Sequence, residues 1–533
     1  MARGSQFRNN SRRRIRRSKL DLSHEKRLTC DPFYLIPVLC EDCIPGDYWK
    51  LGNEIIIRCN PLITPIMHEI NCYVHYYFVP YRILWDDWED FTTGGRDGKF
   101  TANIPKINAS NMSYNALTKD GGLYDFLYNH TLGLDYGVIG SPDQPRKWPV
   151  AFPKYAYNMI YNEFYRDQNL VDEIDIQTWI NNETKDLHIR CWEKDYFTSM
   201  LPWQQRGDAP AFPIQGNLNL NFNPSNIIGG NATPVFSENP PYLSNNTYLT
   251  NNFISGAVTT ASGTLGETTL RNYLNTGTIN LQDAVTFGVS ELRLGFQIQR
   301  FLERMARTGS RYTEYLKGIF GTHPRDDRLQ RPEYIGGSKT PIIVSEVLQT
   351  SSSDTTSPQG NMAGHGISAN RTYVGSYKVQ EHGLIMGIMS IMPRTLYQQG
   401  LERIWIKDSR FDYYLPEFQH LSEQAIDPAE IFNRINAPNE ILGYQGRYDE
   451  YRFRRNTVHG LFRNDLDFWH MGRKFATHPQ LNLDLVRPSL SEITALKRVL
   501  AVPTEDMFLV SIGNKCHATR PMDYMAIPGL IDH

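Results

Sequence analysis

No run of apolar residues in this chain is long enough to cross a membrane. The longest, Gly383 to Met392, is ten residues, about half of what a spanning helix needs. No apolar h-region follows the N-terminus, so a secretory leader is not expected, and the chain reads as soluble and non-secreted. Cysteine is scarce: seven in 533 residues do not make a disulfide scaffold. Cys40 and Cys43 form a single CxxC with Cys30, Cys59 and Cys72 nearby, but a zinc site wants a second such pair or two histidines at regular spacing. Cys59 and Cys72 fall in strand-like stretches, where a free thiol behaves as a small hydrophobe. Neither a metal nor any other cofactor is expected.

Catalytic signatures are missing as well. There is no GxSxG, no HExxH and no GxGxxG after a strand. Gly98-Lys99 looks like the end of a P-loop, but Thr93 stands where the leading glycine belongs and Phe100 where the Ser/Thr belongs. Asp86, Asp87, Glu89 and Asp90 suggest a glycosidase acid pair, yet carboxylates this close together beside Trp85 and Trp88 read better as a solvated rim. His365 and His382 have no companions at ligand spacing and read as structural residues.

The first nineteen residues lack acids altogether and carry Arg3, Arg8, Arg12, Arg13, Arg14, Arg16, Arg17 and Lys19. Such a stretch cannot bury enough apolar surface to offset its ordering entropy, so it reads as a flexible arm. With 55 Lys+Arg against 57 Asp+Glu overall, the rest of the chain is net acidic. A polycationic arm on such a body suggests a protein that holds a polyanion through counterion release. A transit peptide, a nuclear localisation signal and a solubilising tail are the plainer readings; the arm lacks the amphipathic face of a mitochondrial presequence.

A modest 40% apolar content with 12% aromatics, 31 prolines and 39 glycines favours strands and loops over helices. Strands are expected at Glu54 to Cys59, His68 to Val79, Pro341 to Leu348, Arg371 to Val379, Gly383 to Met392 and Met507 to Ile512. Helices are expected over Tyr155 to Gln168 and Glu291 to Lys317, the second broken at Gly309 and with Leu292, Phe296, Gln299, Leu302, Met305 and Ala306 along one face. Ser351 to Asn370 reads as a polar loop. Gly216 to Gln282, rich in Asn, Thr, Ser and Gly and nearly free of Lys and Arg, is too long for an ordinary connection and reads as an exposed insertion. Strands, a helical excursion and strands again fit one interrupted β-sandwich better than βαβ repeats.

Several linear segments are distinctive. They include Leu20-Asp21-Leu22-Ser23-His24, the stretch Phe78-Val79-Pro80-Tyr81-Arg82-Ile83-Leu84-Trp85, and Asp327-Arg328-Leu329-Gln330-Arg331-Pro332-Glu333-Tyr334-Ile335-Gly336-Gly337. The last is Arg520-Pro521-Met522-Asp523-Tyr524-Met525-Ala526-Ile527-Pro528-Gly529-Leu530. From about Leu20 to the C-terminus, these segments resemble the major capsid proteins of the Microviridae, in particular the gokushovirus-like branch of small single-stranded DNA phages. The dense arginine run and the cysteines at 40 and 43 depart from that pattern.

The resemblance implies a mainly β fold: a single eight-stranded antiparallel jelly roll of viral capsid type, with long loop insertions holding a few helices. The expected organisation is a flexible arm over 1–27, jelly roll over 28–215 and 283–533, and a surface insertion over 216–282 as a three-fold protrusion. It further implies a homo-oligomer of about sixty copies with T=1 symmetry enclosing circular single-stranded DNA. A small basic DNA-binding or packaging protein and a host cell surface receptor are implied partners, with no membrane insertion, the virion as location and the bacterial host cytoplasm as place of assembly. The arm residues named above are the expected DNA contacts, with no catalytic and no metal site. The rival readings are a β-sandwich enzyme acting on polysaccharide or nucleic acid with a basic tail, and a non-viral nucleic-acid-binding module.

Overall fold

A computed structural model describes residues 16–107, 120–129, 147–178, 186–210, 258–260, 263–265, 289–348, 350, 362–433 and 441–525. The chain divides into two compact units, Gly207–Phe301 and the remainder. Its strands are β1 (Ser18–Asp21), β2 (His24–Cys30), β3 (Ile36–Cys43), β4 (Tyr48–Cys59), β5 (Ile70–Pro80), β6 (Val258–Thr260), β7 (Gly263–Leu265), β8 (Glu333–Leu348), β9 (Met362–Lys378), β10 (Gly383–Pro393), β11 (Gln424–Ile426), β12 (Gly443–Gln445) and β13 (Phe508–Arg520). In the smaller unit β6 and β7 form a two-stranded ribbon.

The larger unit is a jelly roll. Its strands follow one antiparallel path, β1-β13-β4-β9-β8-β5-β10-β3, with β2 also paired to β13. The path curls into two sheets. One is β2-β13-β4-β9, with β1 continuing the β2 edge; the other is β8-β5-β10-β3. The corner is β8: Ile342 and the residues before it pair with β5, whereas Ile343 to Leu348 pair with β9. Inward residues of both sheets share one core, including Trp49, Ile55 and Ile57 from β4, Val510 and Ile512 from β13, and Val74, Tyr76 and Phe78 from β5.

The two outer faces differ. β4 alternates on either side of a register shift at Leu51/Gly52, with Trp49, Leu51, Ile55 and Ile57 buried and Lys50, Glu54 and Arg58 exposed, the pattern of a sheet with one face in water. β10 is buried along its whole length, which is why its sequence is continuously apolar. The cover includes helix α3 (Phe152–Ile160), which follows α1 (Trp88–Thr93) and α2 (Leu123–Tyr128) and packs against β10. Its Tyr157 hydroxyl donates to the Leu35 carbonyl at 2.7 Å and accepts from the His188 amide at 3.0 Å. A second, smaller core gathers Phe197, Tyr397, Ile426, Phe432 and Leu442 around the β11–β12 ribbon.

All six expected strands are present, and so is the helix near Tyr155. The other expected helix is α4 (Val289–Thr308), ended by Gly309 at φ +97°. The face carrying Leu292, Phe296 and Ala306 is not buried throughout: Leu292 and Phe296 are 40% and 64% exposed, while Ala306 is buried. Two expectations need correction. Residues 18–21 and 24–30 are strands rather than part of a flexible arm to residue 27, because β13 presents backbone donors and acceptors that need a partner. The expected loop Ser351 to Asn370 ends earlier, since β9 begins at Met362. Gly364 and Gly366 are needed there: an added Cβ would stand 2.4 Å from the Thr64 carbonyl oxygen and 2.4 Å from the Cys59 sulfur respectively. Most of Gly216 to Gln282 lies outside the described residues.

Candidate nucleic-acid interface

Arg3, Arg8, Arg12, Arg13 and Arg14 lie outside the described residues. Arg16 and Arg17 are exposed just ahead of β1. A guanidinium nitrogen of Arg17 sits 3.3 Å from where a Cβ on Gly46 would be, beside a turn that Gly46 makes at φ +96°. Lys19 is exposed within β1, opposite Thr519. The basic run therefore enters the fold along the β13 edge of the open sheet.

Directly paired residues of antiparallel strands point to the same face, so the register gives the rows of that face. Lys19, Thr519, Tyr48 and Lys378 form one row; Asp21, His517, Lys50 and Ser376 the next. Farther along come Glu25, Gly513, Glu54 and Arg371, then Arg27, Ser511, Ile56 and Ala369, then Thr29, Leu509, Arg58 and Ile367. Lys515 lies between, opposite Gly52. These rows carry seven bases (Lys19, Arg27, Lys50, Arg58, Arg371, Lys378, Lys515) and three acids (Asp21, Glu25, Glu54).

Each acid is already engaged. Lys515 Nζ lies 3.3 Å from Glu54, Arg27 Nε 3.5 Å from Glu25, and His517 Nδ1 3.3 Å from Asp21. Hydrogen bonds from Ser23 hold the Asp21 carboxyl below the usual carboxylate range, with His517 adding to the effect. The Ser511 hydroxyl, then Arg27, does the same for Glu25. Lys19, Lys50, Arg58, Arg371 and Lys378 have no acidic partner among the described residues. The body is net acidic, yet this face is net basic, because charge is segregated between surfaces.

Of the residues expected to bind DNA, the structure thus brings Lys19 onto an exposed sheet and Arg16 and Arg17 to its margin. The sheet residues themselves were not anticipated, although the alternation of Lys50, Glu54, Ile56 and Arg58 along β4 carries the signal. Other features fit their plainer readings. Asp86, Asp87, Glu89 and Asp90 are exposed on and beside α1. Cys40 and Cys43, three apart on β3, point to opposite faces, and burial pushes the Cys40 thiol up to about 12. The His382 ring meets Trp88 edge-on at 5.7 Å.

Comparison with known proteins gives a consistent result. The model of the capsid protein (F protein) family matches residues 9–530. The capsid protein VP1 of Bdellovibrio phage phiMH2K is 33% identical over 514 residues, covering 92% of this chain and 90% of that protein. VP1 of Chlamydia phage 1 is 31% identical over 595 residues, covering 97% and 96%. VP1 of Spiroplasma virus 4 is 28% identical over 547 residues, also covering 97% and 96%.

Proposed function

The chain belongs to the capsid protein (F protein) family of phages, and we propose that about sixty copies of it close into a T=1 icosahedral shell around circular single-stranded DNA. It is a structural protein of the virion and not an enzyme, so the reading as a polysaccharide- or nucleic-acid-acting enzyme falls away. A jelly roll suits a closed shell, because two facing sheets leave few free strand edges for uncontrolled pairing.

The observation that carries the genome-facing part is the continuity of the basic N-terminal run with an open, net basic sheet. Arg3, Arg8, Arg12, Arg13, Arg14, Arg16, Arg17 and Lys19 contact phosphates without base specificity, and Lys50, Arg58, Arg371 and Lys378, which have no acidic partner among the described residues, extend that surface. The Gly216 to Gln282 stretch forms the three-fold protrusion and meets the host receptor. Assembly takes place in the bacterial cytoplasm with a small basic packaging protein.

Deleting residues 1–15 tests the interface without touching β1. Each lost phosphate contact lowers the salt sensitivity of single-strand binding by about 0.7 in log–log slope. Truncated particles are expected to hold less DNA than the full chain and to release it over a different salt range. Normal DNA content at every ionic strength would assign the run another role.

A further inference from the structure

One surface outside the basic sheet is built for a partner. Residues 401–414 and 447–454 lie side by side: Arg454 Nη1 is 3.5 Å from Glu402, and the Tyr414 and Tyr451 rings are 6.2 Å apart. Beneath them the chain is fixed. Lys407 Nζ pairs with Glu450 at 3.3 Å, both side chains under a tenth exposed. The Lys407 ammonium also donates to the Asp412 carbonyl at 2.6 Å, and Gln424 Nε2 donates to Glu450 at 2.7 Å. A buried pair with its remaining donors and acceptors satisfied holds the two segments in one arrangement.

Above this base, aromatic rings face water. Trp405 is 73% exposed, Tyr413 59%, Phe453 58%, Tyr414 46% and Tyr451 44%. At roughly 150–250 Å² per side chain, these five rings offer about 500 Å² of surface. That already matches the largest apolar patch of an ordinary monomer and approaches the ~800 Å² each side of a stable interface buries. Arginines border the rings: Arg410 stacks on Phe411 at 4.8 Å, and the Arg454 side chain is 61% exposed. Tyr, Trp and Arg held on a rigid base are the composition of interface hot spots.

We propose that this aromatic face docks a second copy of this chain, and that the docked surface is the acidic rim around α1. The exposed rings alone supply more than half of the ~800 Å² that each side of a stable contact buries, and the exposed Arg410 and Arg454 give an acidic surface cations to meet. Asp86, Asp87, Glu89 and Asp90 are exposed, and only Glu89 has a basic neighbour among the described residues, Arg82 at 3.8 Å. The half-buried Trp88 and Phe91 beside them give Trp405 and Phe453 apolar ground to cover. The two surfaces are different parts of the protomer, so the contact is head-to-tail, the kind that closes into rings and shells. The inference rests on the chain being a shell protein and not on the number of copies.

Hydroxyl-radical footprinting of wild-type particles against dissociated protomers tests the face without a mutation. Trp405, Tyr413 and Phe453 are expected to be several-fold less oxidised in particles; equal oxidation in both states overturns the proposal. The pairing is tested by sedimentation of assembly products. Arg410→Glu with Arg454→Glu is expected to cut particle yield at least tenfold, and Asp87→Lys with Asp90→Lys in the same chain to restore much of it. Failure of that rescue, or rings protected only when another virion protein is present, assigns the face to a different partner and overturns the assignment to the acidic rim.

Discussion

His188 shows how much of this protein's chemistry is settled by a single buried ring. It lies between Tyr157 and Tyr161, 3.8 Å from the Tyr161 centroid and nearly parallel to it, and 5.2 Å from that of Tyr157. Its Nε2 donates to Asn158 Oδ1 at 3.0 Å. Burial, helped by the nearby Arg487 charge, pulls its pKa down to about 3. The unfolded chain, with a histidine near 6.5, therefore takes up a proton that the folded chain refuses. The stability this group contributes is complete above about pH 6.5 and is lost as pH falls toward 3, by up to ~1.4 kcal/mol per pH unit. His188→Phe removes that slope. Its unfolding midpoint should fall less steeply than the wild type's between about pH 6 and 4, while at pH 8 it is lower because Asn158 Oδ1 is left unsatisfied, at about 1–3 kcal/mol. Parallel midpoint curves for the two chains would show that His188 does not titrate between the states.

At the scale of elements, β1 and β2 are the instructive pair. They cover the β13 edge over residues 508–514 and 517–520, with Leu22 and Leu28 packed against the core. Deleting residues 1–15 should leave the melting temperature within about 2 °C of wild type, whereas deleting 1–30 strips the edge and should yield aggregated protein; light scattering during a thermal melt separates the two. Equal behaviour of both truncations would mean that β13 needs no partner. These two strands were not legible in the sequence, because their outward residues (Lys19, Asp21, Glu25, Arg27) continue the polar character of the arm and hide the alternation of Leu20, Leu22 and Leu28. The first half of β9 was hidden for a different reason: Gly364, Gly366 and Ser368 are poor strand formers, and the two glycines serve close approach to Thr64 and Cys59, which only the fold reveals. β10 and β5 were legible, one as a continuous apolar run and the other by the alternation of Ile70, Cys72, Val74, Tyr76 and Phe78. The arm was visible as composition. The sheet that prolongs it was not, because Lys50, Arg371 and Lys515 meet only through pairing between strands distant in sequence.

For the whole particle, charge sets a bound that neither arm nor sheet can meet. With about sixty copies, as proposed, the eight basic residues of the N-terminal run supply roughly 480 positive charges. The open sheet, beyond Lys19, adds six bases against three acids, or about 180 more over the shell. The gene for this chain alone requires about 1,600 nucleotides at three per residue, hence ~1,600 phosphates on a single strand. Even this minimum exceeds the available charge more than twofold, and any further gene widens the gap. A strand confined at such an imbalance repels itself, so further cations must be enclosed. A small basic protein supplies them at fixed stoichiometry; polyamines or divalent cations supply them by exchange with the medium. Mass spectrometry and elemental analysis of purified, DNA-filled particles should find one of these in an amount that scales with DNA content. If the extra cation is a protein, the particles should hold their DNA after dialysis against chelator and monovalent salt. If it is exchangeable, the same dialysis should swell or empty them. Full particles containing only this chain, genome-length DNA and monovalent salt would refute the argument.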